Sequence, residues 1–294
     1  MHLSRIHKIP AAEYYVNFYQ RKDKHTGELL PFCGKSPTFV EKGIYFNRDF
    51  SCLDNFYAWA EYAPKEKIKD YLINQLKFRI NSKNLSFAPS YLELLLHDLP
   101  SLNTYKKFFG SYSKACSLAD AEPLFNKRLF KNFFEPNENV DSAKILIDTR
   151  EKKPLSFDKS ASMKLDFGDY AVGSPHYDYT YVDRKSETDF KSTMTTGYDR
   201  FNREMERAME FDSYLFIVIE SSIEDIKHNN IYGPRESNLS FIWHNMRLLT
   251  HNFPRKCQFI FSGGREESEW LIPKLLVYGK KLWSVDMQYF LDNR

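Results

Sequence analysis

Lys144-Ile145-Leu146-Ile147-Asp148-Thr149-Arg150-Glu151 is an aliphatic run of strand length that ends in an acid, and two further blocks follow it, Gly168-Asp169-Tyr170 and Val182-Asp183-Arg184-Lys185. A short apolar run bounded by polar residues predicts a buried strand. Successive side chains on a strand alternate in direction, so Asp183 and Lys185 are expected on one face and Arg184 on the other. A carboxylate and an ammonium then point at one place.

Outward from these blocks, Tyr177 to Asp183 alternates in the period-two manner, with Tyr177, Tyr179 and Tyr181 on one side, and predicts another strand. Tyr214 to Glu220 and Cys257 to Ser262 read as buried strands, and Tyr198 to Phe211, Asn238 to His251 and Glu266 to Tyr278 as helices. Strands alternating with helices indicate an α/β domain with a mixed sheet, expected over residues 142–294. The polar, proline-bearing stretch from Glu135 to Asp141 marks its front edge. Before it, Ile68, Leu72, Leu76 and Ile80 recur every four residues and predict a helix from Pro64 to Ile80. Shorter helices are expected near Ser90 to His97, Asn103 to Phe109 and Ser111 to Ala119, which makes residues 63–135 a helical region. Residues 1–62, interrupted by Gly27, Gly34 and Gly43, show no assignable pairing.

With 294 residues, 42% hydrophobic and 28% charged, and a mean hydropathy of −0.56, the composition fits a folded soluble chain and not a disordered or membrane-embedded one. No apolar run approaches the roughly 20 residues needed to span a bilayer, and the first ten residues lack the apolar core of a secretory signal. An intracellular address without membrane contact is expected. Cys33, Cys52, Cys116 and Cys257 form no Cys-x-x-Cys pair and read as free thiols. A zinc site from Cys33, Cys52 and His25 fits no common knuckle spacing. Net charge is only +3, but residues 1–140 hold 20 basic against 15 acidic side chains and residues 141–294 hold 22 against 24. The front is mildly basic and the back mildly acidic. Aromatic residues reach 16%, which serves thick cores, base-stacking surfaces or both.

The chemistry concentrates in the back half. If Asp169 lies on the strand beside Asp183, the two carboxylates converge and suit a hard cation, Mg²⁺ above all with Mn²⁺ as substitute. Carboxylate-held metal suits phosphodiester hydrolysis, because it polarises a phosphoryl oxygen and activates water. Lys185 then assists the water or the developing charge; its electrostatic role is preferred, since neighbouring carboxylates keep it protonated. Glu151 completes the metal site, and Asp148 assists. Arg150 either orients a phosphate or pairs with an acid to hold the shape of the site.

These blocks resemble the nuclease domain of the XPF family of DNA endonucleases, within the PD-(D/E)xK or restriction-endonuclease-like class. The family's pattern is acid-x-Arg-Glu after an aliphatic strand, then Gly-Asp-Tyr, then Glu-Arg-Lys followed by three residues and Asp. This chain supplies Asp148, Arg150 and Glu151, then Asp169, then Asp183, Arg184 and Lys185, then Asp189. The similarity runs from about Lys144 to Tyr278 and includes Leu215 to Glu220 and Phe259 to Leu276. It departs at Asp183, where the family has the longer glutamate. The resemblance implies a restriction-endonuclease-like mixed sheet flanked by helices and a Mg²⁺-dependent hydrolase. In it Asp148, Glu151, Asp169, Asp183 and Lys185 are catalytic, and Asp169, Asp183 and Glu151 bind metal. DNA is the implied partner, with Arg150 and Arg184 near it, and residues 265–290 are an implied homodimer surface; Arg200 and Arg203, on the helix expected after the site, either contact DNA or form a solvated helical face.

No tandem helix-hairpin-helix module follows before Arg294, so recognition is expected from the front half. There, Leu99 to Cys116 resembles the helical repeat associated with homing endonucleases, over about residues 86–122. Asn103, Lys106, Lys107 and Lys114 are its expected contacts to phosphates or base edges. Gly263-Gly264-Arg265 reads as a strand-to-helix turn, and Phe56, Tyr57, Trp59 and Tyr62, with helical spacing, as core. The expected whole is a mostly helical DNA-binding region ahead of a metal-dependent endonuclease domain. A site-recognising enzyme of the homing, phage or mobile-element type comes first. A branched-DNA repair or recombination nuclease is the alternative, and a DNA-binding protein with a spent nuclease domain is the third reading.

Overall fold

A computed structural model describes residues 6–8, 15–17, 21–22, 29–30, 56–57, 60, 63–97, 99–135, 138–233 and 237–294. The chain divides into two units, Met1–Pro123 and Leu124–Arg294. Cys33, Cys52, His25, Trp59 and Tyr62 lie outside the described residues.

In the first unit, strand β1 (Ile6–Lys8) pairs antiparallel with β2 (Tyr15–Asn17), and β3 (Arg21–Lys22) with β4 (Leu29–Leu30). Helix α1 (Lys65–Lys83) buries Ile68, Leu72 and Leu76, the stripe that recurs every four residues. Helices α2 (Tyr91–Leu96), α3 (Leu102–Phe109) and α4 (Tyr112–Leu118) each start at a serine. The hydroxyls of Ser90, Ser101 and Ser111 accept the backbone N–H three residues on, at 3.2, 3.2 and 3.1 Å. Each such cap contributes about 1 kcal/mol by satisfying a donor that the first turn leaves open. Phe56 is buried, whereas Tyr57 is exposed.

The second unit is an α/β fold. Its strands are β5 (Ile145–Asp148), β6 (Ser160–Met163), β7 (Tyr170–Val172), β8 (Thr180–Lys185), β9 (Tyr214–Ile219) and β10 (Cys257–Phe261). They form one six-stranded mixed sheet in the order β10-β9-β8-β7-β5-β6. β8, β9 and β10 run parallel, β7 runs antiparallel to both β8 and β5, and β6 is parallel to β5. Parallel neighbours need crossover connections. Helices α6 (Glu187–Thr193) and α7 (Tyr198–Glu210) make the first, and α8 (Ile223–Tyr232) and α9 (Leu239–Asn252) the second, with α5 (Glu138–Ser142) ahead of the sheet and α10 (Arg265–Tyr278) and α11 (Met287–Asp292) after it.

All six residues of β9 are buried, as a strand covered on both faces requires. On one face Tyr214, Phe216 and Val218 join Val182 and Ile260 against Leu271, Ile272, Leu275 and Leu276 of α10. Burying a side chain of this size contributes roughly 1.5–3 kcal/mol. On the other face Phe190 of α6 packs against Trp243 of α9 and against Phe259 and Phe261 of β10. Asp183 and Lys185 belong to this second face. Residues ahead of α5 also pack with this unit: Phe134 is buried and meets Trp270, Tyr278 and Phe290 edge-on or tilted.

The strand expected from Tyr177 starts instead at Thr180, because Tyr179 takes a left-handed backbone with φ +67° that interrupts an extended run. Among the described residues no helix is long and apolar enough to cross a membrane.

Candidate active site

Gly168 decides how the two acids meet. Its φ is +61°, and a Cβ there would lie 2.7 Å from the carbonyl oxygen of Val182, so the position takes only glycine without displacement of backbone. The close approach lets the Asp169 N–H donate to Val182 O at 2.8 Å, and the Arg184 N–H donates to Asp169 Oδ2 at 2.8 Å. Asp169 is thereby held beside the strand that carries Asp183. Tyr170, the next residue, turns into the core, where its hydroxyl accepts the Leu155 N–H at 3.0 Å.

Asp183 is buried, and its Oδ2 is 2.9 Å from Lys185 Nζ. Phe201 of α7 lies under the ammonium, 4.9 Å from the ring centroid. Burial, and then the adjacent Asp183, push the Asp169 carboxyl up to about 8. Burial works against a charged Lys185, but Asp183, Asp169 and Glu204 outweigh it and raise its pKa. These carboxylates thus favour the protonated form of Lys185.

The remaining expected residues are held by neighbouring groups. Arg184 points to the opposite face, donating to Glu220 Oε2 at 2.6 Å and to Glu151 Oε2 at 3.2 Å; it is only 10% exposed. Its guanidinium ties the sheet to the segment after β5, bonding Glu220, Glu151 and the Lys153 carbonyl. Glu151 is engaged through both oxygens, since Oε1 accepts the Lys153 N–H at 2.7 Å. Asp148 is saturated as well: it accepts from Arg150 N, Arg150 Nε and Arg150 Nη2 and from Leu165 N, at 2.6–3.0 Å. Burial alone would raise its pKa, but these bonds hold the carboxyl below the usual range. Asp148 is thus a brace for its loop, with Arg150 as its partner. Asp189 supports the cap of α6: Ser186, the capping residue, donates its Oγ–H to the Asp189 carboxylate at 2.6 Å, and its Oγ accepts the Asp189 N–H at 3.2 Å.

Glu204 of α7 was not anticipated. Burial together with Asp183 raises its pKa, against the pull of Lys185 and Arg207. Its position on a face of α7 shared with Phe201, three residues earlier, was the available signal. Arg200 and Arg203 are exposed on α7. In the first unit Asn103, Lys106 and Lys107 are exposed on α3 and Lys114 on α4, the two helices joined at Gly110.

A buried carboxylate, Asp183, beside a half-buried one, Asp169, makes a donor set of the kind a hard cation takes, since Mg²⁺ is satisfied by one or two carboxylates with waters and phosphate. Asp169 and Asp183 fit it. Each Glu151 oxygen accepts one hydrogen bond, and Glu151 lies close enough to Asp169 to help raise its pKa; among the described residues no group of three or more His, Cys, Asp or Glu side chains is gathered as a ready-made cage.

Neither a family model nor a curated protein matches the chain. Among solved structures, XPF from Aeropyrum pernix is similar in its complex with DNA at 18% identity and a TM-score of 0.36, covering 47% of this chain and 66% of that one. XPF from Aeropyrum pernix without DNA is similar at 18% identity and a TM-score of 0.35, covering 47% and 67%.

Proposed function

We propose that the chain is a divalent-metal-dependent DNA endonuclease that hydrolyses phosphodiester bonds. The observation that carries the reading is the pairing of half-buried Asp169 with buried Asp183, with Lys185 on the same strand face as Asp183. Mg²⁺, or Mn²⁺ in its place, would supply polarisation of the phosphoryl oxygen and a more acidic water. Asp169 and Asp183 would hold it. Lys185, kept protonated, places its ammonium where negative charge develops on the phosphoryl group. Arg184, Glu151 and Glu220 keep β8 and the segment after β5 in register, and Asp148 with Arg150 braces the same loop. Asn103, Lys106, Lys107 and Lys114 are proposed to contact DNA, as are Arg200 and Arg203 beside the site, which supports a site-recognising enzyme of the homing or mobile-element type. Exposed aromatic residues near the catalytic face favour the second reading, a nuclease of branched DNA. A homodimer through residues 265–290 is proposed from the motif resemblance alone.

Plasmid and branched DNA incubated with the purified chain, with and without Mg²⁺, test these readings. Metal-dependent cleavage is expected, at one mapped sequence for the homing type and at junctions for the branched-DNA type. Binding without cleavage in Mg²⁺ or Mn²⁺ would overturn the enzyme reading in favour of a spent nuclease domain. Lys185→Ala should lower the single-turnover rate by about 10²-fold, the usual loss when one charge-stabilising group is removed.

A further inference from the structure

Five aromatic side chains and one lysine form a track that the proposed hydrolysis does not use. Phe167 and Tyr181 are buried, and each stands two residues before one of the paired carboxylates, Asp169 and Asp183. Alternation puts Tyr181 on the Asp183 face of β8, about 7 Å along the strand. From this anchor the rings continue outward: Phe167 to Tyr181 at 5.6 Å, Phe167 to Phe211 at 5.8 Å, Tyr177 to Tyr181 at 6.1 Å and Tyr177 to Tyr179 at 5.2 Å. The hydroxyls of Tyr177 and Tyr181 share a hydrogen bond of 2.6 Å that fixes the outer ring on the inner one.

The outer rings face water: Tyr177 is 41%, Tyr179 49% and Phe211 63% exposed. Core packing does not account for them. Tyr179 is the sharpest case, because a bulky residue at φ +67° is strained where glycine or asparagine would not be, and half of its side chain is still left in solvent. Lys280 Nζ stands 5.8 Å from the Tyr179 centroid, so a cation accompanies the exposed rings.

We propose that this track is a stacking subsite for unpaired nucleobases of the strand that passes the Asp169–Asp183 centre, an inference that rests on the nuclease reading above. Exposed aromatic faces next to a cation bind bases by stacking. A base within a duplex is already stacked on its neighbours, so the matching ligand is a single-stranded stretch. Continuity with the catalytic face through Tyr181 and Phe167 selects nucleic acid over a protein partner.

The test is fluorescence anisotropy of the full chain in EDTA with a labelled oligo(dT) of about 12 nucleotides, a length that a single-strand groove accommodates. An abasic oligomer of equal length and charge is the control. The wild type should prefer oligo(dT) by about tenfold or more, the worth of one or two stacked bases. Tyr179→Ala and Phe211→Ala should each weaken oligo(dT) binding about 5- to 10-fold and leave abasic binding unchanged, while Tyr179→Phe, which keeps the ring, should retain it. Phe211 lies at an exposed helix end, so its variant does not depend on the turn at Tyr179. Equal binding of the two oligomers by a wild type that cleaves plasmid in Mg²⁺ would overturn the subsite and leave the nuclease reading standing. A chain that neither binds nor cleaves DNA would overturn both. Variants that change sedimentation but not oligo(dT) affinity would reassign the track to a protein interface.

Discussion

Replacing Arg184 with methionine removes a guanidinium that is 10% exposed from between Glu151 and Glu220, which are 9% and 12% exposed. The methionine chain occupies most of the volume, so the loss is electrostatic and not a cavity. Two carboxylates then remain buried without the donor at 2.6 Å and 3.2 Å that compensated them. Removing one partner of a buried ion pair costs about 3–5 kcal/mol, against a typical domain stability of about 5–15 kcal/mol. For the unit Leu124–Arg294, roughly 170 residues, that corresponds to a melting temperature lower by about 6–20 °C. Urea unfolding followed by circular dichroism measures it directly. The triple variant Arg184→Met, Glu151→Gln, Glu220→Gln should recover most of the loss, since neutralising the orphaned acids removes their desolvation cost. If Arg184→Met unfolds with the wild-type midpoint while DNA affinity drops, Arg184 contacts DNA and the bracing role is wrong.

Three further outcomes are expected. Gly168→Ala should destabilise the unit by about 2 kcal/mol or more, from left-handed strain plus a clash with the Val182 carbonyl, and a urea midpoint equal to wild type would contradict the turn geometry. The Asp169 carboxyl, held up to about 8, retains a proton in the folded state that the unfolded chain releases near pH 4. Metal-free stability should therefore fall as pH rises between about 4 and 8, and Mg²⁺ binding, which displaces that proton, should tighten up to about tenfold per pH unit up to pH 8 and level off above it. Calorimetric titrations that give one affinity from pH 6 to pH 8 would exclude this coupling. Glu204→Gln keeps the size of the side chain but removes a charge beside Lys185, so folding should persist while the cleavage rate falls about tenfold; an unchanged rate and pH profile would place Glu204 outside the reaction.

Much of the architecture was legible where local physics decides it. The stripe Ile68, Leu72 and Leu76 marks α1, the unbroken apolar run of β9 marks a strand covered on both faces, and period-two alternation separates Asp183 and Lys185 from Arg184. Other elements were legible but overlooked: α6 and α8 open with Ser186 followed by Asp189 and Ser222 followed by Asp225, caps that the sequence displays. β6 and β7 were not legible by periodicity, because four mostly exposed residues at a sheet edge and three wholly buried ones carry too few positions to show a period. The tyrosine run misled for a different reason. Its alternation is regular, but the left-handed turn at Tyr179 ends the extended backbone there.

By itself the sequence determined which side chains alternate on each strand, where the longer helices run, and that acids and a lysine cluster in the second half. Those properties depend on spacing along the chain. Only the tertiary structure decided what each charge does, because a charged group's role is set by what lies across from it. The strand order places β7 between β5 and β8 and so brings Asp169 to Asp183. The same packing turns Arg184 onto Glu151 and Glu220, saturates Asp148 with Arg150 and Leu165, and delivers Glu204 from a helix of the β8–β9 crossover. Burial then sets apart Asp169, whose carboxyl is pushed up to about 8, from Asp148, whose carboxyl its hydrogen bonds hold low.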